Sequence, residues 1–336
     1  MGDRPALAMK MHSLSTFSRY KQNAAVVIVS ILFLLATVFS VGLPDWSSLI
    51  EVTPLWLVAG LGAIALSVLC LTWRWLLFIR IFTTAPSTSQ VFSIVSLISF
   101  ATMLLPKELV EFFGRTLWLN RTFAVPLLSA SSSVLADRLL DVVGLGIILC
   151  PAVCFFIFNT SLYMTAIILA LCIFAGGVIL FFTGSKSFAM LHACLWRASA
   201  LLARLRKKKL DPSGFIMPSI SRKNLLLAYV ATLIKLLLAS ACYWAFARSL
   251  NMQVELLAFI LAGPIVQIFF LISFTAGGAG FLEAGWYWTL TTLGIDAASI
   301  STYLVAQRLF FTVAVGIVAL LAYLCRRVGT ARMKEA

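Results

Sequence analysis

The residues able to do chemistry are charged groups set inside apolar stretches, in a chain that is 62% hydrophobic and 11% charged. Lys107, Glu108, Glu111 and Arg115 follow Pro106; Asp137, Arg138 and Asp141 sit in the next apolar run. Glu283 comes just after the glycines Gly277, Gly278 and Gly280. Lys235 and Arg308 each lie within a long apolar run, and Gln267 and Gln307 add polar groups. An ionisable group at membrane depth costs several kcal/mol unless paired or hydrated, so each is a candidate for function. On a helix starting after Pro106, Lys107–Glu111 and Glu111–Arg115 are i,i+4 pairs, so Glu111 is expected to be neutralised from either side. Arg138 shares a face with Asp141, and the Asp137–Arg138–Asp141 triplet equally suits a structural clip between helices. Together with Glu283 and Arg308, these groups predict a polar cavity. Its mixed signs suit a zwitterionic or anionic head group, or a phosphate held by arginine.

Catalytic chemistry of familiar kinds is not indicated. There is no Gly-x-Ser-x-Gly, no His-Glu-x-x-His and no histidine near a candidate nucleophile. His12 and His192 stand alone in basic flanks. The glycine run lacks the Lys-Ser/Thr of a phosphate loop and is expected to make a tight reversal, with Pro106 at the corresponding turn of the first group. Five of the seven cysteines lie in apolar runs and behave as small hydrophobes. No catalytic residue, metal or cofactor is expected.

The elements that position these groups must be membrane helices. An ordinary soluble domain is about 25% charged; this chain lacks the polar residues to cover a soluble surface. Strand-like alternation is absent, so the spans are helical. Apolar runs fall near 24–43, 55–80, 91–105, 127–158, 162–183, 225–249, 255–274, 279–294 and 300–325. The net charge of +14 comes from clusters beside these runs, as orientation signals do, and no nucleic-acid-binding pattern accompanies it. If run 91–105 crossed fully, the segment 184–224, with nine Lys and Arg residues, would lie outside. If 91–105 and 108–120 instead form a re-entrant hairpin from the cytoplasmic side, every basic cluster is inside. The outer loops 44–53, 159–161, 250–254 and 295–299 then carry no Lys or Arg. By the same logic 255–274 and 279–294 form a hairpin from the outer side.

The expected fold is an all-α polytopic membrane domain over 1–336, with about six full spans and two opposed re-entrant hairpins, an arrangement compatible with an inverted repeat. The segments 1–23, 184–224 and 326–336 are expected in the cytoplasm, and run 127–158 is long enough to begin as a cytoplasmic turn. The basic amphipathic segment 186–209, ending in Lys207, Lys208 and Lys209, suits an interfacial helix on anionic lipid.

Pro106-Lys107-Glu108-Leu109-Val110-Glu111 with Arg115, then Asp137-Arg138-Leu139-Leu140-Asp141, then Gly277-Gly278-Ala279-Gly280-Phe281-Leu282-Glu283, resemble three landmarks of the lysylphosphatidylglycerol synthase transmembrane-region family, also called flippase-like or UPF0104 proteins. Arg308 also fits that pattern. Lys107 and Val110 replace glycines of the family's first motif, and Ala276 and Leu282 replace its proline and arginine in the last. The resemblance therefore carries over Glu111, Arg115, Arg138, Asp141, Glu283 and Arg308, but no head-group contact at Leu282. It implies a bacterial inner-membrane protein that moves or handles phospholipids, glycolipids or polyprenyl-linked lipids. The sequence, ending at Ala336, leaves no room for the aminoacyl-transferase domain of larger members, so a stand-alone translocase is expected. The alternatives are a membrane-embedded lipid-linked transferase, with Glu111 or Asp141 as base, and a non-transporting partner of a separately encoded lipid-modifying enzyme. Membrane lipids are the expected partners, and nucleic acid is not.

Overall fold

A computed structural model describes residues 51–103, 105–205, 220–271 and 275–335, and all regular structure among them is helical. In chain order the helices are α1 (Pro54–Ile79), α2 (Thr88–Ala101), α3 (Lys107–Phe123), α4 (Leu127–Phe158), α5 (Leu162–Leu205), α6 (Arg222–Ser249), α7 (Leu256–Leu271), α8 (Phe281–Thr292) and α9 (Ala297–Glu335). A 3₁₀ turn, Ala276–Gly278, precedes α8. The starts are written in the sequence. Pro54 opens α1 where its missing N–H costs nothing. Ser87 and Gln90 close a capping box on α2, and Ser221 caps α6. Pro126 precedes α4, after Ala124 has ended α3 in the left-handed region.

Length divides the helices into two kinds. α1, α4, α5, α6 and α9 are long and apolar enough to cross a bilayer. α2, α3, α7 and α8 have 14, 17, 16 and 12 residues. At 1.5 Å per residue they reach only about 18–26 Å, short of a hydrocarbon core of roughly 30 Å. The expected first span, 24–43, and the Lys207–Lys209 cluster lie outside the described residues.

Three expectations need correction. The basic segment after 184 is not a separate loop or interfacial helix up to Leu205, because it continues α5. Gly184 does not break that helix: it lets Leu225 of α6 come so close that a Cβ there would stand 2.0 Å from the Leu225 side chain. Farther on, Phe188 and His192 are buried, and His192 Nδ1 lies 2.8 Å from Ser132 Oγ. His192 is therefore not alone in a flank. Run 127–158 is one helix from its first residue, with no initial turn. Beyond residue 325, α9 continues to Glu335.

α1 and α6 form the central antiparallel pair. The Thr53 N–H donates to Ser249 O (3.0 Å), joining the start of one to the end of the other. Gly60 lies against the Phe246 ring, and Ala228 shares a buried cluster with Phe78. Gly60 and Ala228 stand equally far into their helices, as do Phe78 and Phe246, so the crossing looks alike from both sides. The other helices follow the same exchange: α2 packs on α9 as α7 packs on α4, and α3 packs on α4 as α8 packs on α9. Antiparallel pairing about the centre makes α1–α4 and α6–α9 inverted counterparts, while α5 stands at the edge against α4 and α6. Half of the apolar stretch of α6 is buried, whereas almost none of that of α5 is.

The short helices present apolar side chains outward. Leu109, Phe113 and Leu117 of α3 are exposed at successive turns while Glu111 and Arg115 are buried on the opposite face. That is the reverse of a soluble amphipathic helix, and it suits a lipid surround.

Candidate functional site

The site forms where the turns of the two short-helix pairs meet. Gly277 adopts φ +57°, and a Cβ on it would stand 2.8 Å from the backbone oxygen of Met103, so the two turns touch backbone to backbone. Gly278 and Gly280 also take positive φ (69° and 84°), which glycine adopts without strain. The Glu283 carboxylate accepts from the Gly280 N–H (2.7 Å) and holds this turn closed.

Behind the first turn is a buried ion network. Arg74 donates from Nε to Asp137 Oδ1 (2.6 Å) and from Nη1 to Asp141 Oδ1 (2.6 Å) and Thr232 Oγ1 (3.0 Å). Arg115 Nη1 donates to the other oxygen of Asp137 (2.8 Å), and its guanidinium stacks over Trp75 at 5.0 Å. Arg74, Arg115 and Asp137 are all fully buried. Two short charge-assisted bonds to one carboxylate make this part of the network a brace between α1, α3 and α4.

The outer part of the network faces open space. Asp141 also accepts from Lys235 Nζ and lies 3.6 Å from Arg138. Arg138 is ion-paired with Glu111 across helices, and Arg308 is paired with Glu283 and donates to Gly277 O. A cavity of about 160 Å³ is lined by Lys107, Glu111, Arg138, Asp141, Lys235, Gln267, Gln307 and Arg308 together with Met103, Tyr243, Phe270 and Gly277. A second, of about 120 Å³, shares the walls Lys107, Arg138, Asp141, Lys235 and Gln267 and adds Glu108, Val142, Leu145 and Leu271. Each has room for several waters, so polar side chains on these walls can be hydrated.

The sequence-predicted residues therefore divide. Lys107, Glu111, Arg138, Asp141 and Arg308 line the larger cavity and Glu108 the smaller. Arg115 and Glu283 lie behind the wall, fixing Asp137 and Arg308 respectively. Of the turn residues, Gly277 reaches the cavity; Pro106 precedes α3, and Gly278 and Gly280 shape the other turn. The i,i+4 pairs expected within α3 do not form. Glu111 pairs with Arg138 and Arg115 with Asp137, because α4 brings opposite charges to the inward face of α3. Arg74 was missed, although an arginine inside an apolar run is itself a signal of buried pairing. Lys235, noted as a mid-span charge, lines both cavities.

The charges gathered here are Arg74, Lys107, Arg115, Arg138, Lys235 and Arg308 against Glu108, Glu111, Asp137, Asp141 and Glu283, one positive charge in surplus. No His, Cys, Asp and Glu group among the described residues has a metal-holding arrangement.

Long apolar helices around a charged interior cavity define a multi-pass membrane protein. The chain belongs to the family described as lysylphosphatidylglycerol synthase TM region, whose model matches residues 23–326. That membership ties it to membrane lipid modification or flipping. No curated protein and no solved structure matched the chain.

Proposed function

We propose that this protein is a lipid translocase, moving a phospholipid, glycolipid or polyprenyl-linked lipid across a bacterial inner membrane through the charged cavity. In this reading run 24–43 supplies a sixth span and both chain ends lie in the cytoplasm. The pairs α2–α3 and α7–α8 are re-entrant hairpins from opposite faces.

One observation carries it: two pairs of helices too short to span meet turn to turn, Met103 against Gly277, at the wall of a cavity lined with both signs of charge. Broken backbone at membrane depth is tolerated where it is packed in protein or lines a wet cavity, and paired broken elements are how inverted-repeat transporters build a central site. Support for the orientation comes from charge: the connections 159–161, 250–254 and 295–299 contain no Lys or Arg, whereas the stretch 184–224, which begins within α5, contains nine. No nucleotide-binding motif is present in the sequence, so movement is downhill or ion-coupled.

The test is loss of leaflet asymmetry of an acyl-labelled phospholipid in reconstituted vesicles. The protein should accelerate it, and Glu111→Ala should abolish the acceleration. Equal rates in empty and loaded vesicles reject translocation of that lipid. Charge substitutions that lower stability without changing lipid movement would favour a non-transporting partner.

A further inference from the structure

The two cavities differ in what lies behind them. Both are walled by Lys107, Arg138, Asp141, Lys235 and Gln267. The larger lies among α1, α6, α9 and the two turns. The smaller continues outward past Val142 and Leu145 of α4 and Leu271 of α7. Val142 is 51% and Leu271 44% exposed, so this cavity reaches the apolar outer surface between α4 and α7.

The cationic groups of the two cavities are not equally engaged. Arg138 is held by Glu111, Arg308 by Glu283, and Lys235 by Asp141. Lys107 has no carboxylate within ion-pair distance among the described residues; its ammonium rests 4.4 Å from the centre of the Phe270 ring. The network as a whole carries one positive charge in surplus, and Lys107, with only the unpaired Glu108 of its own turn nearby in sequence, is the cavity cation that no carboxylate holds. The expected first span, 24–43, contains no ionisable residue that could balance it. On the larger cavity's wall Gln307 is 1% exposed, and neither side-chain amide atom has a partner. A buried amide left unpaired on a cavity wall is a waiting hydrogen-bond donor and acceptor.

We infer that the cavity selects a lipid head group carrying a single negative charge, a phosphodiester, held at Lys107 beside Lys235 and hydrogen-bonded by Gln307, with the lipid tails leaving between Val142 and Leu271. The inference rests on the translocase reading and names its substrate class. One phosphodiester balances the network. A zwitterionic head leaves the surplus in place, and a diphosphate or an ionised monoester overshoots it, each leaving a net charge in a low-dielectric site. A lysine suits the task because its ammonium is a compact point charge that follows a moving phosphate, whereas the arginines are already held by carboxylates.

The experiment uses the full chain in vesicles and two acyl-labelled probes, phosphatidylglycerol with one negative charge and zwitterionic phosphatidylcholine. Phosphatidylglycerol should cross at least about tenfold faster, a difference equivalent to about 1.4 kcal/mol. Lys107→Gln should remove that preference and Lys107→Arg should keep it. Leu271→Trp or Val142→Trp should slow phosphatidylglycerol several-fold. The same variants should still bind water-soluble glycerophosphoglycerol, which needs no lateral opening; unimpaired lipid movement in them would place the tails elsewhere and overturn the opening. Equal rates for the two lipids, or a preference that survives Lys107→Gln, would overturn the selectivity. Native mass spectrometry separates this from the parent reading. If no lipid moves, yet phosphatidylglycerol is retained by the wild type and lost from Lys107→Gln, translocation fails and the head-group assignment stands. If phosphatidylcholine is retained equally, the assignment fails.

Discussion

Arg138 and Arg308 stand at the same position in α4 and α9, counted from Leu127 and Ala297, and each is ion-paired with a glutamate of the adjoining short helix, Glu111 or Glu283. The inverted relation of the two halves thus extends from backbone packing to the ion pairs at the cavity. The halves are not equal in rigidity. Glu283 also holds the Gly280 N–H, and Arg308 also holds Gly277 O, so the second pair is locked into its turn. Glu111 and Arg138 have no such backbone anchor among their described bonds. Glu283→Gln should therefore destabilise the protein by about 3 kcal/mol, the usual cost of leaving a buried partner uncompensated. Glu111→Gln should cost less stability and more transport. Thermal unfolding in detergent beside leaflet-exchange rates separates the two; equal losses of stability would refute the asymmetry.

Asp137 is the centre of the brace. It accepts from Arg74 and Arg115, and all three side chains are closed to solvent. Asp137→Asn leaves two buried guanidiniums without a counter-charge and should cost about 3–5 kcal/mol, enough to abolish folding of most of the chain. The triple replacement Arg74→Met, Asp137→Leu, Arg115→Met removes the charges together and should recover folded yield, read by monodisperse elution in detergent. Failure of the triple variant to exceed Asp137→Asn would show that the network contributes more than neutralisation.

Much of this architecture was legible from the apolar runs. The starts of α1 and α4 fall at Pro54 and after Pro126, and the shortness of α2, α3, α7 and α8 follows from the residues that bound them. Partner choice was not legible. Helical spacing puts Glu111 and Arg115 on one face, but whether they meet each other or residues of α4 depends on which helix lies opposite. The end of α5 was not legible for a related reason: the apolar run stops at 183, yet Gly184 is an approach point for Leu225 inside a helix that continues to Leu205. Arg74 was hidden by its place near the basic end of an apolar run, where a flanking charge is the ordinary reading.

Asp296 begins α9 outside the apolar spans and accepts from the Ser299 backbone N–H (2.9 Å). That backbone bond, with the Ser299 hydroxyl, holds its carboxyl below the usual aspartate range. The bond favours the charged form, so its contribution is complete well above the unfolded pKa and is lost as pH falls through the folded one. Asp296→Ala should lower stability at pH 7 by about 1 kcal/mol as an N-cap loss, with the gap closing below about pH 4. Melting temperatures of both proteins across pH 3 to 7 check this, and a gap independent of pH would contradict it.

Gly278 connects the second turn to the cation of the first. A Cβ at Gly278 would stand 2.1 Å from the Phe270 ring, and that ring is the contact of Lys107. Alanine here must adopt φ near +69° and also displace an aromatic side chain. The strain alone is worth about 1–2 kcal/mol. Gly294 has a similar φ of +77° but nothing within 4 Å of its built Cβ, so Gly294→Ala carries the strain without the displacement. If Phe270 positions Lys107, Gly278→Ala should weaken discrimination between phosphatidylglycerol and phosphatidylcholine several-fold. Gly294→Ala, at comparable melting temperature, should leave it unchanged. Loss of discrimination in both variants would trace the effect to stability and not to the Phe270–Lys107 contact.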